Sequence, residues 1–329
     1  MGRIPHIKDF EKYGAIDIQK IFQNKGLGSY HMFLKKYEKE YDVQFSSLEE
    51  KYLQFISSKL SSAKRVQELE AIKLAIERKV HVNEYLKQQM LDEYQIQMPE
   101  VSYTTIQNIL TQNFATGSSK DAFKDVPILD DDWNIYHVFQ SLLNNEEFKR
   151  QVLEVIDYSI DLYKREYSQR YQNTDLCLYK KYTYEDVCQL LNWEKNLVPL
   201  NIGGYKYDQH TNTLPVFINY DKEEDIADTI KYTDHFVDPQ TLVAMSKSKL
   251  KLGSKGMDIF TQAKQRQTII HIFVRKNKDD KTSKEFYYLG IGNIINIKQE
   301  YMADQIPVCE ILYHLDQPVR QDIYDYIVK

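Results

Sequence analysis

The sequence predicts an α+β chain, helical over its first half and built over its second as a mainly antiparallel β barrel. Two patterns carry this expectation. Up to about residue 174, apolar residues recur at spacings of three and four. Beyond it come short runs rich in β-branched and aromatic residues, separated by turn signals and without regular crossover helices. The expected division is therefore a helical region over 1–174 and a mainly β region over 175–329.

Within the first half, shorter helices are expected at 29–41, 83–95, 102–114 and 133–144. Ser46 and Glu49 spell a capping box that opens a helix running towards Leu60. Val66, Leu69, Ile72, Ile76 and Val80 form one apolar stripe of an amphipathic helix. Ala115–Ser119 reads as a loop, and Asp130-Asp131-Asp132 suits a helix N-terminus, where the dipole favours negative charge. A longer helix runs from Glu146 to about Tyr167, with Phe148, Val152, Val155, Ile156, Ile160 and Tyr163 on one side. In the second half, Thr183 and Asp186 cap a short helix. Strands are expected at 214–220, 268–274, 285–289 and 308–315, with turns at Gly203-Gly204, 208–213 and 276–284.

Composition narrows the function classes. The chain has 329 residues, 42% hydrophobic and 28% charged, a globular rather than disordered balance. It has no run of eighteen apolar residues for a membrane span and no secretory signal pattern, so a cytoplasmic protein is expected. Three cysteines (Cys177, Cys188, Cys309) form no disulfide framework and no CxxC pair, and no metal or other cofactor is called for. Gly117-Ser118-Ser119-Lys120 lacks the glycines of a phosphate-binding P-loop. Gly290-Ile291-Gly292 begins a dinucleotide fingerprint, but Ile295 occupies its third glycine position. HExxH is absent, and His271 sits in a strand pattern as a half-buried histidine. Asp221, Glu223, Glu224, Asp225 and Lys231 contain the residue types of a metal-dependent nuclease, but they read as a solvated turn. No enzyme motif is found, and a non-enzyme is expected.

From Leu178 to Ile327 the sequence resembles a functionally undefined domain at the C-terminus of bacterial superfamily II (DEAD/DEAH-like) helicases, many of which also carry an N-terminal phospholipase-D-like nuclease. The runs that carry the resemblance begin with Leu178–Tyr182, Leu191–Asn196 with Pro199, Asn201–Tyr205 and Thr213–Tyr220. Ile230–Phe236, Met245–Ser248, His271–Arg275, Phe286–Gly290 and Leu312–Leu315 follow in the family's order. The helical half more weakly resembles the linker between motor and domain. The resemblance implies work on DNA in a restriction or phage-defence setting, with helicase motor domains as partners in cis or in trans. Motor and nuclease motifs are missing, so the chain reads as the C-terminal piece of such a helicase. Where the family has an aromatic and a glutamine around the serine, this chain has Ala244, Met245 and Lys247. By analogy, the barrel resembles PUA- or SRA-type readers of duplex DNA.

Charge places the contact. From Met245 to Lys284 there are eleven Lys or Arg against three acids, an excess of +8 in a chain of net charge −5, so the remainder carries −13. An acidic body with one basic segment binds a polyanion locally. Ser246, Lys247, Ser248, Lys249, Lys251, Ser254 and Lys255 interleave hydroxyls with ammonium groups, a mixture suited to phosphate oxygens. Arg275 ends a strand, and Asn201 and Tyr205 flank the Gly203-Gly204 turn, with Tyr205 open between core and contact roles. The leading expectation is a non-catalytic module that binds duplex DNA for a helicase and senses sequence, shape or modification. The alternatives are a protein-docking or autoinhibitory module of the helicase and, third, a metal-dependent nuclease.

Overall fold

A computed structural model describes residues 5–13, 16–198, 202–221, 234–277, 284–302 and 305–329. Asn201 and the acidic turn residues Glu223, Glu224 and Asp225, with Lys231, lie outside the described residues. The chain divides into two compact units, one holding residues up to Gln169 with Glu194–Asn196, the other Arg170–Trp193 and Leu197–Lys329.

The first unit is helical: α1 (Ile7–Tyr13), α2 (Ile18–Gln23), α3 (Tyr30–Tyr37), α4 (Ser47–Phe55), α5 (Gln67–Arg78), α6 (Val82–Tyr94), α7 (Glu100–Leu110), α8 (Ser118–Phe123), α9 (His137–Leu142) and α10 (Glu146–Glu166). The capping box is present with both bonds: Ser46 Oγ accepts from Glu49 N at 3.3 Å, and Ser46 N donates to Glu49 Oε2 at 2.7 Å. Helix α4 widens into a π-turn over Ile56–Leu60. The three consecutive aspartates open no helix. Asp130 Oδ1 instead accepts from the backbone of Asp132 (2.9 Å) and Asn134 (2.8 Å), a side-chain turn that precedes α9. Helix α5 buries Leu69 and Ile72 of the expected apolar stripe, with Val66 at its N-cap, but it ends before Val80, which is exposed, and its polar residues Gln67, Glu68 and Glu70 are buried too. Partners explain the two glutamates. Glu68 faces Arg65, and Glu70 accepts from the Tyr94 hydroxyl and from Gln89 Nε2 at 3.1 Å.

The second unit is a curled, seven-stranded mixed sheet. Its strands are β1 (Lys181–Tyr182), β2 (Thr213–Asp221), β3 (His235–Asp238), β4 (Thr241–Met245), β5 (Ile269–Asn277), β6 (Phe286–Tyr301) and β7 (Pro307–Leu315). The order is β2-β5-β6-β7-β4-β3, with β1 on β6. All pairs are antiparallel except β2 with β5. That parallel pair needs a long crossover, which here contains β3 and β4 together with α12 (Asp258–Thr261) and α13 (Ala263–Arg266). A short α11 (Tyr184–Leu190) carries the Thr183–Asp186 capping box, and α14 (Gln321–Val328) closes the chain.

Strand β6 makes the curl. Its first part pairs with β1 and β5, its second with β7. The change of partner falls at Gly290, whose φ of +103° favours glycine, and Gly292, where an added Cβ would lie 2.8 Å from Ile272 Cγ1. A register shift between Ile294 and Asn296 bends the strand further. The curl brings the two edge strands together, so that the rings of Tyr220 on β2 and Phe236 on β3 are 5.9 Å apart. Inside lies a core containing Leu214, Val216, Leu242, Phe260, Ile272, Ile311 and Tyr313. On the other face Tyr184, Phe217, Phe273 and Phe286 pack ring on ring.

His271 is fully buried on that outer face, with Nδ1 3.0 Å from the Tyr288 hydroxyl. Burial holds its pKa down to about 3 from the ordinary 6.5. Between those values the unfolded chain takes up a proton that the folded chain refuses. The stability contributed is therefore intact above about 6.5 and falls by about 1.4 kcal/mol per pH unit as the window is descended. Urea unfolding at pH 7 and pH 5 is expected to show a smaller pH effect in His271→Gln than in the parent chain. An equal effect in both would show that His271 does not set it.

Candidate nucleic-acid interface

Strand β4 hands the chain into a loop of residues 246–257 that is pinned at several points. Ser246 continues the β4–β7 ladder by one step: its N–H donates to the Cys309 carbonyl and its Oγ accepts from Cys309 N, both at 2.8 Å. Lys247 turns back on the sheet. Its Nζ donates to the carbonyls of Ile202 (3.0 Å) and Tyr205 (3.2 Å) and lies 4.5 Å from the centre of the Tyr205 ring. The Lys247 N–H in turn donates to the Tyr205 hydroxyl at 3.2 Å. Leu252 N donates to Gln299 Oε1 at 2.7 Å. Between these pins Lys249 holds a left-handed backbone, φ +69°, and Gly253 turns the tip at φ +81°.

The pins divide the expected contact residues. Ser248, Lys249, Lys251 and Lys255 point to solvent, and the structure gives those three lysines no ion-pair partner among the described residues. Ser246 is buried. Ser254 Oγ is buried as well and has no hydrogen-bond partner among the described residues. Tyr205 is buried against Phe260, rings 4.8 Å apart, so its phenol braces the loop from beneath. Burial, reinforced by the charge of Lys206, holds the Lys247 pKa below the usual lysine range. Arg275 is not gathered with the loop. It stands on the outer sheet face, donating to Asn219 Oδ1 at 2.6 Å and lying 4.4 Å from the Phe286 ring centre. Trp193 is buried, its indole N–H on Thr213 Oγ1 at 2.9 Å.

A second surface of tyrosines with cations over their rings escaped the sequence reading. Tyr287 of β6 lies 5.8 Å from Tyr326 of α14 and carries Lys181 at 4.7 Å over its ring. Arg320 sits 5.0 Å over Tyr179. The available signal was the period of the last eight residues, where Ile323 and Ile327 face inward and Tyr326 outward.

Nucleophile chemistry has little to draw on here. Cys177, Cys188 and Cys309 are buried, and burial pushes each thiol up, Cys188 to about 12. Among the described residues no cluster of His, Cys, Asp and Glu has the makings of a metal site, and no helix is long and apolar enough to cross a membrane.

Lys247→Met keeps the aliphatic stem and removes the ammonium. It is expected to lower stability by about 1 kcal/mol, since two carbonyls lose their donor. Urea unfolding measures the effect.

Comparison with known proteins locates two families along the chain. Residues 176–327 match a domain of unknown function (DUF3427), and residues 1–168 match another (DUF8090). No curated protein matches. Among solved structures, Arabidopsis thaliana SUVH6 in complex with SAM is similar at 10% identity and a TM-score of 0.32, covering 51% of this chain and 33% of that one. The SUVH5 SRA–hemimethylated CG DNA complex is similar at 9% identity and a TM-score of 0.30, covering 44% and 92%. KRYPTONITE with mCHG DNA and SAH is similar at 10% identity and a TM-score of 0.30, covering 55% and 41%. The matched part thus spans about a third of the SUVH6 chain.

Proposed function

The chain belongs to the DUF8090 family, and we propose that its second unit is a non-catalytic DNA-binding module serving a helicase in DNA restriction or phage defence. One observation carries the reading: a loop pinned by Lys247, Tyr205, Cys309 and Gln299 holds Lys249, Lys251 and Lys255 outward, with no ion-pair partner among the described residues. A braced loop backbone spares the cost of ordering the loop when its lysines meet phosphates, and the lysines sit in a chain whose remaining charge would repel DNA elsewhere. The resemblance of Leu178–Ile327 to the helicase C-terminal domain supplies the motor as the partner, in cis or in trans. What the loop discriminates, whether sequence, shape or modification, is set by groups beside the phosphate contacts.

Fluorescence anisotropy with labelled duplexes, unmodified and cytosine-methylated, at low and physiological salt tests this reading. The expected result is binding whose affinity falls linearly with the logarithm of salt concentration. No binding to any duplex at low salt would overturn it. A second reading, docking to the motor, draws on an open apolar groove in the first unit, lined by Ile16, Ile21, Leu27, Phe33 and Tyr37. A salt-resistant complex with the motor, formed without DNA, would favour that reading.

A further inference from the structure

The helical unit holds a cavity of about 410 Å³ between the end of α5, α9 and the start of α10, within the size range of small-ligand sites. We propose that it binds a nucleoside phosphate. The chemistry of its wall divides into three parts. Ile76, Ile135 and Leu143 provide an apolar surface against which a base can lie, and the amides of Gln140 and Asn144 offer donors and acceptors to its edge. Lys79 and Lys149 both line the cavity, and among the described residues neither is paired with a carboxylate. Glu146 adds one carboxylate, which suits ribose hydroxyls as donors to it and would be out of place in a site for phosphate alone.

Lys79 supplies an independent observation. It ends α5 with φ +73° and ψ −30°, a conformation in which glycine is the usual residue. Its backbone is held there, its N–H on the Ala75 carbonyl at 3.1 Å and its carbonyl accepting from Ile135 N at 2.7 Å. The adjoining wall is tied down as well: Val82 N donates to the Trp133 carbonyl at 3.0 Å, and His81 N to Asn134 Oδ1 at 3.2 Å. A lysine therefore stands where the backbone favours glycine, and it lines the cavity. Its side chain makes no ion pair among the described residues, which leaves its charge available to an anionic ligand.

Isothermal titration of the full chain with AMP, GMP, ATP and GTP tests the site, with adenosine and pyrophosphate as its two halves. At least one nucleotide should bind tenfold or more tighter than either half. Lys149→Ala and Lys79→Gly should each weaken it at least tenfold. Lys79→Gly should also raise the melting temperature by roughly 2–4 °C, separating loss of a ligand from loss of fold. Competition by a 5′-phosphorylated oligonucleotide would identify the source as a strand end, and its absence a free nucleotide. No heat with any nucleotide, pyrophosphate binding as tightly as every nucleotide, or affinity unchanged in both variants would overturn the proposal. The site is independent of the DNA-binding loop: replacing Lys249, Lys251 and Lys255 should leave nucleotide affinity unchanged even where DNA binding is lost.

Discussion

Replacing Lys249, Lys251 and Lys255 together with glutamate is expected to lower affinity for duplex DNA by on the order of 100-fold at physiological salt. The estimate follows from counterion release. Each lost phosphate contact removes about 0.9 from the slope of log affinity against log salt, so three contacts remove roughly 2.7. The three side chains lie on the solvent side of a loop whose internal bonds run through Ser246, Lys247 and Leu252. The fold should therefore survive the change, and urea unfolding should show a midpoint close to that of the parent chain. Anisotropy titration at several salt concentrations reads both affinity and slope. An unchanged slope would place the DNA elsewhere, with the Tyr287–Tyr326 surface and its flanking Lys181 the next to test.

The same loop shows what one-dimensional reading can and cannot reach. Local charge density selects residues 247–255, because clustering of lysines is visible along the chain. Which lysines are free is not visible. Lys247 differs from Lys249 only because the Tyr205 ring and two carbonyls, some forty residues earlier in sequence, fold beneath it. Arg275 likewise reads as one more cation of the basic segment, whereas strand alternation turns it to the outer face, onto Phe286. Local signals with a local cause were legible: both capping boxes form with reciprocal bonds, and β2, β5 and β7 lie within a few residues of their expected ranges. Elements whose stability is borrowed from neighbours were not. The second part of β6 is rich in Asn, Lys, Gln and Glu and is a strand because β7 supplies its hydrogen bonds. Strands β3 and β4 are short and separated by a tight turn, and β4 is fixed by β7. The parallel β2–β5 pair left no mark in sequence, since its crossover contains strands and short helices rather than one regular helix.

Removing Glu68 is the substitution expected to damage the helical unit most. Periodicity marks α5 as amphipathic, with Val66, Leu69 and Ile72 on its apolar stripe, and says nothing of Arg65 and Glu68. The structure buries both: the side chains are 0% and 1% exposed, and Arg65 Nε donates to Glu68 Oε1 at 3.0 Å and Oε2 at 3.1 Å. A second guanidinium nitrogen, Nη2, also donates to Oε1. Such a pair contributes little net stability when intact, because desolvation of both charges offsets most of the attraction. Breaking it is another matter, since the Arg65 charge stays buried and loses a carboxylate that accepts from two of its nitrogens. Glu68→Ala is therefore expected to cost about 3–5 kcal/mol, a fall in melting temperature of roughly 6–20 °C for a unit of this size. Arg65→Met combined with Glu68→Leu replaces both charges by apolar groups and should recover most of that loss. Calorimetric melting of the two variants beside the parent chain separates the two cases. A double variant no more stable than Glu68→Ala would show that the pair is held for the geometry it imposes on the start of α5 rather than for the balance of its charges.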